Sequence, residues 1–420
     1  MQQLCIIGGG VVGLCNALFL QQAGFDVLLL DANDVGSGCS AGNAGHFATE
    51  QVFPLAQPAL LSQLPAMLLD PLGPLRIRAG YLLQALPWFA RFVANMRKSK
   101  RDAHQRALSG LNHASLASWQ KLLHSCQLSQ QIQYQGALLV TENRSMQALQ
   151  QQYQAYRAAG IDVRWCNQAQ LQILEPALAP TLTAGLDFTE VAHSRDPLAL
   201  CQQLYQQFRQ LGGRYLQAEV RQVIPGQNRH QLICNDREIV CEQLIIAAGA
   251  HSAKLTRQLG WQVPLEAERG YHLMLAPVAL GRPVSSLERK CIMTPMQRGL
   301  RVAGTAEFAG LHARPNYQRA TLMQQHADQL LRQRTAAVSP SADAAEHAFA
   351  NHTVWAGNRP SLPDSLPVLG PCPRHQGIYY NFGHQHLGLT QAAFSAELLT
   401  SCLLKHAPAL DLTPFRINRF

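Results

Sequence analysis

Three glycines near the start of the chain have the spacing of a phosphate-binding turn. Gly8, Gly10 and Gly13 follow an apolar run over residues 4–7, and apolar residues then recur at helical spacing over residues 11–22. In such a turn the first glycine permits the tight bend, the second lets the backbone approach a pyrophosphate, and the third lets the helix pack closely on the strand. The N–H groups and the positive dipole at the start of the helix attract the anion. The segment therefore predicts a dinucleotide-binding strand, turn and helix.

An acidic residue stands where such a site needs a contact with the ribose. A second apolar run, over residues 27–30, ends at Asp31, about 20 residues after the turn, which is the usual spacing. The spacing does not by itself distinguish FAD from NAD. Further along, residues 36–46, GSGCSAGNAGH, are small enough to let the backbone run closely along a ligand. Ser40 and Asn43 offer polar contacts in that loop.

Composition limits the classes of protein to consider. The chain has 420 residues, of which 47% are hydrophobic and 15% charged, as expected of a globular protein with two domains and not of a disordered chain. The formal charge of +9 is spread along the chain. It indicates a solvated basic surface, or attraction to anionic substrates or an anionic membrane surface. No nucleic-acid-binding motif accompanies the charge, so we expect no nucleic-acid partner.

The cysteines and the hydrophobic segments indicate the compartment. The 11 cysteines include no C-x-x-C pair, so we expect neither disulfides nor a metal site. The chain enters an apolar strand almost at once, without the pattern of an export signal, and contains no run of about 20 apolar residues. We therefore expect a cytoplasmic protein.

Residues 60–101 are rich in leucine, aromatic residues, arginine and proline, and the prolines predict short helices. Two interpretations are open. The helices cover a core and expose a basic face, or they lie on the inner face of the membrane with Trp88, Phe89 and Phe92 opposite the basic side chains.

The remaining pattern predicts a mixed fold. Short strands with turns over residues 263–307 suit an antiparallel sheet, whereas strands alternate with helices near both ends of the chain. The clearest further elements are helices over residues 196–211, 317 to about 335 and 390–403, and strands over residues 137–141, 217–224, 231–234, 243–247, 271–275, 300–304 and 378–382.

Both ends of the chain resemble one family. GGGVVGLCNALFLQQAGFDVLLLDA followed by SAGNAGH is similar to the D-amino acid oxidase and dehydrogenase superfamily of flavoproteins, specifically its D-amino acid dehydrogenase-like branch. WAGNRPSLPDSLPVLG (residues 355–370) and YYNFGHQHLGLT (residues 379–390) resemble its carboxy-terminal flavin signature. Weaker matches are LEPAL at 174–178, IIAAGA at 245–250 and ERGYHL at 268–273.

The resemblance implies FAD as cofactor and an α/β (α+β overall) fold, in which an antiparallel-sheet substrate domain is inserted into a Rossmann-type FAD-binding domain. We assign residues 1–60, 190–262 and 350–420 to the FAD-binding domain, and residues 61–189 and 263–349 to the substrate domain. The expected FAD contacts are Gly8, Gly10, Val11, Val12, Gly13, Asp31, Ala32, Ser40, Asn43, Ala44, Gly45, His46, Val220, Ala248, Gly249, Gly357, Gly383, His384, Gly388, Leu389 and Thr390.

Four side chains are candidates for contact with the substrate. Arg359 is the first, because a planar guanidinium can bind a carboxylate through two parallel hydrogen bonds, and the family's glycine oxidases place a carboxylate-binding arginine in the matching motif. Tyr271 and His272 occupy opposite-facing positions of a strand, so only one of them is expected to face the pocket. His386 stands where some relatives carry arginine, and its role stays open.

The implied reaction is hydride transfer from the α-carbon of a small amino or imino acid, of the D-amino acid or D-hydroxyproline type, to flavin N5. A quinone or another carrier would accept the electrons. An oxidase of the glycine or sarcosine type that reduces O2 is one alternative, and a non-catalytic flavin-binding subunit is another. Non-covalent FAD is expected, although Cys39 and His46 are near enough to the flavin loop to be considered as attachment points.

Overall fold

The computed structural model describes residues 3–61, 67, 73–332 and 354–420. The α-helices in these ranges are α1 (Val11–Gln22), α2 (Leu82–Ala94), α3 (Lys98–Ser125), α4 (Met146–Ala158), α5 (Gln168–Leu174), α6 (Pro197–Gln210), α7 (Ser252–Gln258), α8 (Gln318–Leu330) and α9 (Gly388–Leu403). The strands are β1 (Gln3–Ile7), β2 (Asp26–Asp31), β3 (His46–Phe47), β4 (Leu75–Ile77), β5 (Ile132–Gln133), β6 (Ala137–Thr141), β7 (Val163–Asn167), β8 (Ala184–Phe188), β9 (Ala192–Ser194), β10 (Arg214–Gln217), β11 (Val220–Ile224), β12 (His230–Cys234), β13 (Glu238–Cys241), β14 (Gln243–Ile246), β15 (Glu266–Leu275), β16 (Val284–Ser286), β17 (Cys291–Met296), β18 (Gly299–Phe308), β19 (Val354–Ser361), β20 (Val368–Pro371) and β21 (Ile378–Phe382).

A six-stranded sheet forms the first layer, in the order β10-β2-β1-β14-β21-β20. Its strands are parallel except for β20, which runs antiparallel to β21. The strands β1, β2 and β14 are continuous apolar runs because both faces of the sheet are covered. Helices α1, α3, α6 and α9 pack on one face, and the small sheet β11-β12-β13 packs with α7 on the other. This is the Rossmann-type architecture that the sequence predicts.

A nine-stranded sheet forms the second large unit, in the order β19-β15-β18-β17-β16-β6-β8-β7, with β4 beside β18. Most neighbours are antiparallel, and the pairs β6–β16 and β4–β18 are parallel. The predicted fold class is therefore confirmed. The strand predicted over residues 217–224 is in fact two strands, since β10 joins the six-stranded sheet and β11 the small one.

Two segments lie apart from the unit to which the sequence assigned them. β19 lies within the predicted FAD-binding range 350–420, yet all eight of its residues pair with β15 in the nine-stranded sheet. Helix α3 lies within the predicted substrate range 61–189, yet it packs against α9 and the core of the six-stranded sheet. The flavin signature, residues 355–370 and 379–390, thus contributes strands to both large sheets. The predicted helix after residue 317 is α8, and its expected end near residue 335 lies outside the described residues.

Helix α2 corrects the interpretation of the aromatic segment. It continues through Pro87 instead of breaking there. Trp88 and Phe92 are buried and pack with Phe308, so they cannot form a membrane-facing surface. The exposed apolar residues of this helix are instead Leu82, Leu83, Leu86 and Val93. Across the described ranges, no helix combines the length and the apolar character needed to cross a bilayer.

Candidate functional site

A cavity of about 1260 Å³ opens at the carboxyl ends of the parallel strands β1, β2 and β14. This is where open α/β sheets bind their ligands. The predicted FAD contacts that line it are Gly8, Gly10, Val11, Val12, Asp31, Ala32, Ser40, Asn43, Ala44, His46, Val220, Ala248, Gly249, Gly357, Gly383, His384, Gly388 and Leu389. Gly13, Gly45 and Thr390 do not line the cavity. The predicted residues therefore converge on one site from distant parts of the chain.

The glycine turn has the geometry that a phosphate cradle requires. Gly8 has φ of +117°, and a Cβ there would lie 2.3 Å from the carbonyl oxygen of Ala247. A Cβ on Gly13 would lie 1.8 Å from the carbonyl oxygen of Gly8. Only glycine fits at both positions, because the obstructing atoms belong to the backbone. The turn therefore keeps the start of α1 close to β1, with its N–H groups at the cavity.

Two side chains hold the turn from either side. The Gly9 N–H donates to Asp31 Oδ2 over 2.6 Å, and the Asn33 N–H donates to Asp31 Oδ1 over 2.8 Å. The Val11 N–H donates to the hydroxyl of Ser40 over 2.9 Å. Asp31 is thus fixed at the end of β2 on the cavity wall, as expected for a ribose contact.

The small-residue loop is fastened to the nine-stranded sheet. Arg301 on β18 donates to the carbonyl oxygen of Ala41 over 3.1 Å and to that of Asn43. His272 Nδ1 lies 3.1 Å from the carbonyl oxygen of Gly42. Burial lowers the pKa of Arg301 to about 10 and that of His272 to about 3. Arg301 has no motif of its own, and its only signal in the sequence is a charge inside a predicted strand.

Tyr271 and His272 do point to opposite faces of β15. The Tyr271 hydroxyl donates to Glu307 Oε2 over 2.5 Å and accepts from the Asn316 N–H over 2.9 Å. His272 stacks on Trp355 and does not line the cavity, whereas Tyr271 does. Burial raises the pKa of Tyr271 to about 12. The polar atoms of Tyr271 are therefore engaged with the protein, and its contact with a substrate stays a prediction.

The end of β21 and the turn that follows it present polar groups that lack partners within the described part of the chain. His384 is buried and its Nε2 has no hydrogen bond. Neither the nitrogen nor the oxygen of the Asn381 amide has a partner, although this side chain is fully buried and the residue lines the cavity. Buried polar groups are normally satisfied. These residues therefore fit a ligand with a polar edge, such as the pyrimidine ring of a flavin.

Two further histidines lie on the wall of the cavity. His46 Nε2 is 2.9 Å from Glu50 Oε1, and His386 Nε2 is 2.7 Å from Gln51 Oε1. Burial lowers the pKa of His386 to about 4, so its ring is neutral near pH 7. Gln51, which lines the cavity, and Glu50, which contacts His46 from behind the wall, were not foreseen, because nothing in their local sequence indicates a role at a site.

Arg359 reaches the same cavity from β19. Its Nη1 donates to Glu268 Oε1 over 3.0 Å, and both residues line the cavity wall. The guanidinium lies over Gly270, where a Cβ would be 2.4 Å from Arg359 Nη2. Glu268 and Gly270 belong to the matched segment ERGYHL, yet no feature of that segment selects them individually. The predicted substrate arginine thus stands beside a carboxylate.

Comparison with known proteins extends these observations. A family model described as FAD dependent oxidoreductase matches residues 3–402. The chain is 30% identical to a D-amino-acid oxidase of Bradyrhizobium diazoefficiens, with 100% of this chain and 99% of that protein aligned. It is 31% identical to D-amino acid dehydrogenase 2 of Ralstonia nicotianae, with 99% and 100% aligned. These matches confirm the resemblance that the motifs indicate.

Among solved structures, a glycine oxidase from Geobacillus kaustophilus superposes with a TM-score of 0.76 at 19% identity, and each chain is covered completely. An L-proline dehydrogenase from P. horikoshii superposes with a TM-score of 0.72 at 15% identity, covering 100% of this chain and 97% of the other. At these identities the superpositions show a shared fold.

Proposed function

The chain belongs to the family of FAD-dependent oxidoreductases, and from that premise we propose that it oxidises a small amino or imino acid at the α-carbon. D-Amino acids and D-hydroxyproline-type imino acids are the proposed substrates. The FAD, when bound, supplies the hydride acceptor, and the protein supplies orientation and charge. The oxidised product, an imino acid, hydrolyses in water to a keto acid and ammonia, whereas a cyclic substrate gives a cyclic imine.

The observation that carries this proposal is the position of Arg359. Its guanidinium stands on the wall of the same cavity as the dinucleotide cradle, and its side chain is 27% exposed. A guanidinium in that setting can fix a carboxylate by charge-assisted hydrogen bonds and so hold the neighbouring α-carbon in place. The names of the related D-amino-acid oxidase and dehydrogenase support the same substrate class.

The test combines a substrate screen with a substitution. D-Amino acids, hydroxyprolines, glycine and sarcosine are added anaerobically to the holoenzyme, and loss of flavin absorbance identifies the substrate. We expect Arg359→Ala to keep its FAD and to raise the KM for that substrate sharply. Arg359→Lys is the matched variant, because it keeps the charge and loses the planar fork. Failure of every amino and imino acid to reduce the flavin would refute the proposed function, and an unchanged KM would refute the role of Arg359.

For the electron acceptor, we propose a quinone or another membrane carrier, with O2 as the alternative. Leu82, Leu86 and Val93 of α2 are exposed and also line the cavity. The cavity therefore has an apolar rim on the surface of the protein. Leu83 on the same helix is 80% exposed. Sedimentation with anionic vesicles, comparing the protein with Leu83→Glu, tests the membrane contact. Peroxide formed under air during turnover would identify O2 as the acceptor.

A further inference from the structure

Glu268 is a carboxylate at an unusual place. It lies on β15 directly opposite Arg359 on β19, with an exposed fraction of 8%, and it lines the cavity. Transfer of a carboxylate out of water is unfavourable unless the charge is paired and hydrogen-bonded. Glu268 is therefore not a solvated surface charge, and its position next to the proposed carboxylate-binding arginine needs an explanation.

The pair makes a single contact. Arg359 Nη1 to Glu268 Oε1 is the one hydrogen bond of either side chain within residues 3–61, 67, 73–332 and 354–420. An arginine and a carboxylate that pair only for stability commonly form two parallel hydrogen bonds. Here Glu268 Oε2 and two guanidinium nitrogens keep the capacity to bind something else. That capacity is offered at the wall of a cavity, with one negative and one positive group side by side.

The backbone fixes this arrangement. Residue 270 lies on the same face of β15 as Glu268, because alternate residues of a strand share a face. Its lack of a side chain leaves the space in which the guanidinium of Arg359 lies. The charges of Glu268 and Arg359 both act on His386, where Glu268 raises the pKa and Arg359 lowers it. The pair and the histidine of the turn before α9 thus line the same cavity.

We propose that Glu268 binds the amino group of the substrate in its ammonium form, while Arg359 binds the substrate carboxylate. The two side chains together then recognise a zwitterion. The inference rests on the proposed function and adds the group that selects amino acids over simple carboxylic acids. An α-amino acid carries both charges on one carbon, which matches two opposite charges held side by side. A carboxylic acid without the amine meets Arg359 but leaves Glu268 without a cation, and it competes with Glu268 for the guanidinium.

Glu268→Gln in the holoenzyme tests this proposal, with two ligands measured side by side. The first is the amino acid found in the substrate screen, by its half-saturating concentration for anaerobic flavin reduction. The second is the same molecule without its amino group, by its dissociation constant from the change in flavin absorbance. A hydrogen bond to a charged group contributes about 1.5–3 kcal/mol, which is roughly a 10- to 100-fold change in binding.

We expect the half-saturating concentration of the amino acid to rise roughly 10- to 100-fold, while the affinity for the carboxylic acid stays equal or increases because its competitor is gone. Equal weakening of both ligands would show that Glu268 only positions Arg359, and unchanged binding of both would place the pair outside the site. Either result overturns the inference. Glu268→Ala serves as a second variant with the same expectations if the glutamine variant does not fold.

Glu266→Gln is the matched control. Glu266 lies two residues away on the same strand and accepts a hydrogen bond from the Tyr81 hydroxyl over 2.7 Å, but it does not line the cavity. The control should leave the binding of both ligands unchanged. If an amino acid reduces the wild-type flavin and Glu268→Gln binds that amino acid as tightly as the wild type does, the zwitterion inference alone fails. If no amino or imino acid reduces the wild-type flavin, the proposed function itself fails.

Discussion

Gly270 determines how Arg359 stands in the cavity, and a single added methyl group tests this. A Cβ at residue 270 would lie 2.4 Å from Arg359 Nη2 and 2.5 Å from its Cζ, whereas ordinary contacts begin at 3.4 Å. The guanidinium must therefore move by about 1 Å in Gly270→Ala, and a displacement of that size in a site that positions a substrate can lower the rate about 100-fold. The obstructing atoms are the far end of a long side chain, so the fold accommodates the change.

We expect Gly270→Ala to lose about two orders of magnitude in kcat/KM, to retain its FAD and to unfold at nearly the wild-type temperature. Steady-state kinetics with the substrate from the anaerobic screen, flavin content and thermal unfolding measure the three properties. Gly80→Ala is the matched control, because a Cβ there meets no atom within 4 Å. It should leave all three properties unchanged.

The double variant isolates the cause. In an Arg359→Ala background the guanidinium is absent, so Gly270→Ala should cause no further loss of kcat/KM. An equal loss in both backgrounds would refute the reasoning, because the methyl group would then act through something other than Arg359. Loss of FAD from the single variant would refute it as well.

The remaining predictions concern the buried histidine and the attachment of the flavin. Burial lowers the pKa of His384 to about 3, whereas an unfolded histidine has a pKa near 6.5. The unfolded state therefore binds a proton that the folded state refuses, and stability should fall as the pH drops from about 6.5 towards 3, by up to about 1.4 kcal/mol for each pH unit. Urea unfolding at several pH values should show that the free energy of unfolding depends less on pH in His384→Gln than in the wild type. An equal pH dependence would contradict the lowered pKa of His384. The FAD should be non-covalent, since the Cys39 thiol donates to the carbonyl oxygen of Asn358 over 2.7 Å and burial raises its pKa to about 11, while His46 is held by Glu50. Acid precipitation should leave the yellow colour in the supernatant for the wild type and for Cys39→Ser, and colour in the pellet would disprove this.

The sequence predicted best where the determinants are local. The turn from Gly8 to Gly13 needs only a strand, a helix and glycines at positions where nearby backbone atoms leave no room for a side chain. The spacing of these glycines therefore predicts the turn. The opposite orientation of Tyr271 and His272 follows from the period of a strand and is correct. Which partner each side chain meets depends on a neighbouring strand or loop, and local spacing carries no information about that.

Two segments illustrate this limit. The aromatic face of α2 was offered as a possible membrane surface because its pattern is amphipathic, yet Phe308, more than 200 residues later, gives Trp88 and Phe92 an internal packing partner. β19 was assigned to the FAD-binding domain because it overlaps the flavin signature, yet its register with β15 places it in the other sheet. In both cases a contact distant in sequence decides the environment of a segment whose local pattern suits either position.

That placement of β19 has a consequence for the chemistry. The dinucleotide cradle is built from the six-stranded sheet, whereas Arg359 and Glu268 stand on adjacent strands of the nine-stranded sheet. Under the proposed function, the relative position of substrate and flavin is therefore set where the two units meet, and the loop over residues 36–46 is one such junction. Arg301 and His272 hold that loop by its backbone carbonyl groups, so side chains of the nine-stranded sheet position a loop at the dinucleotide cradle. Under the proposed function, the dinucleotide cradle and the Arg359–Glu268 pair must act on one α-carbon, and this junction keeps them in place relative to each other.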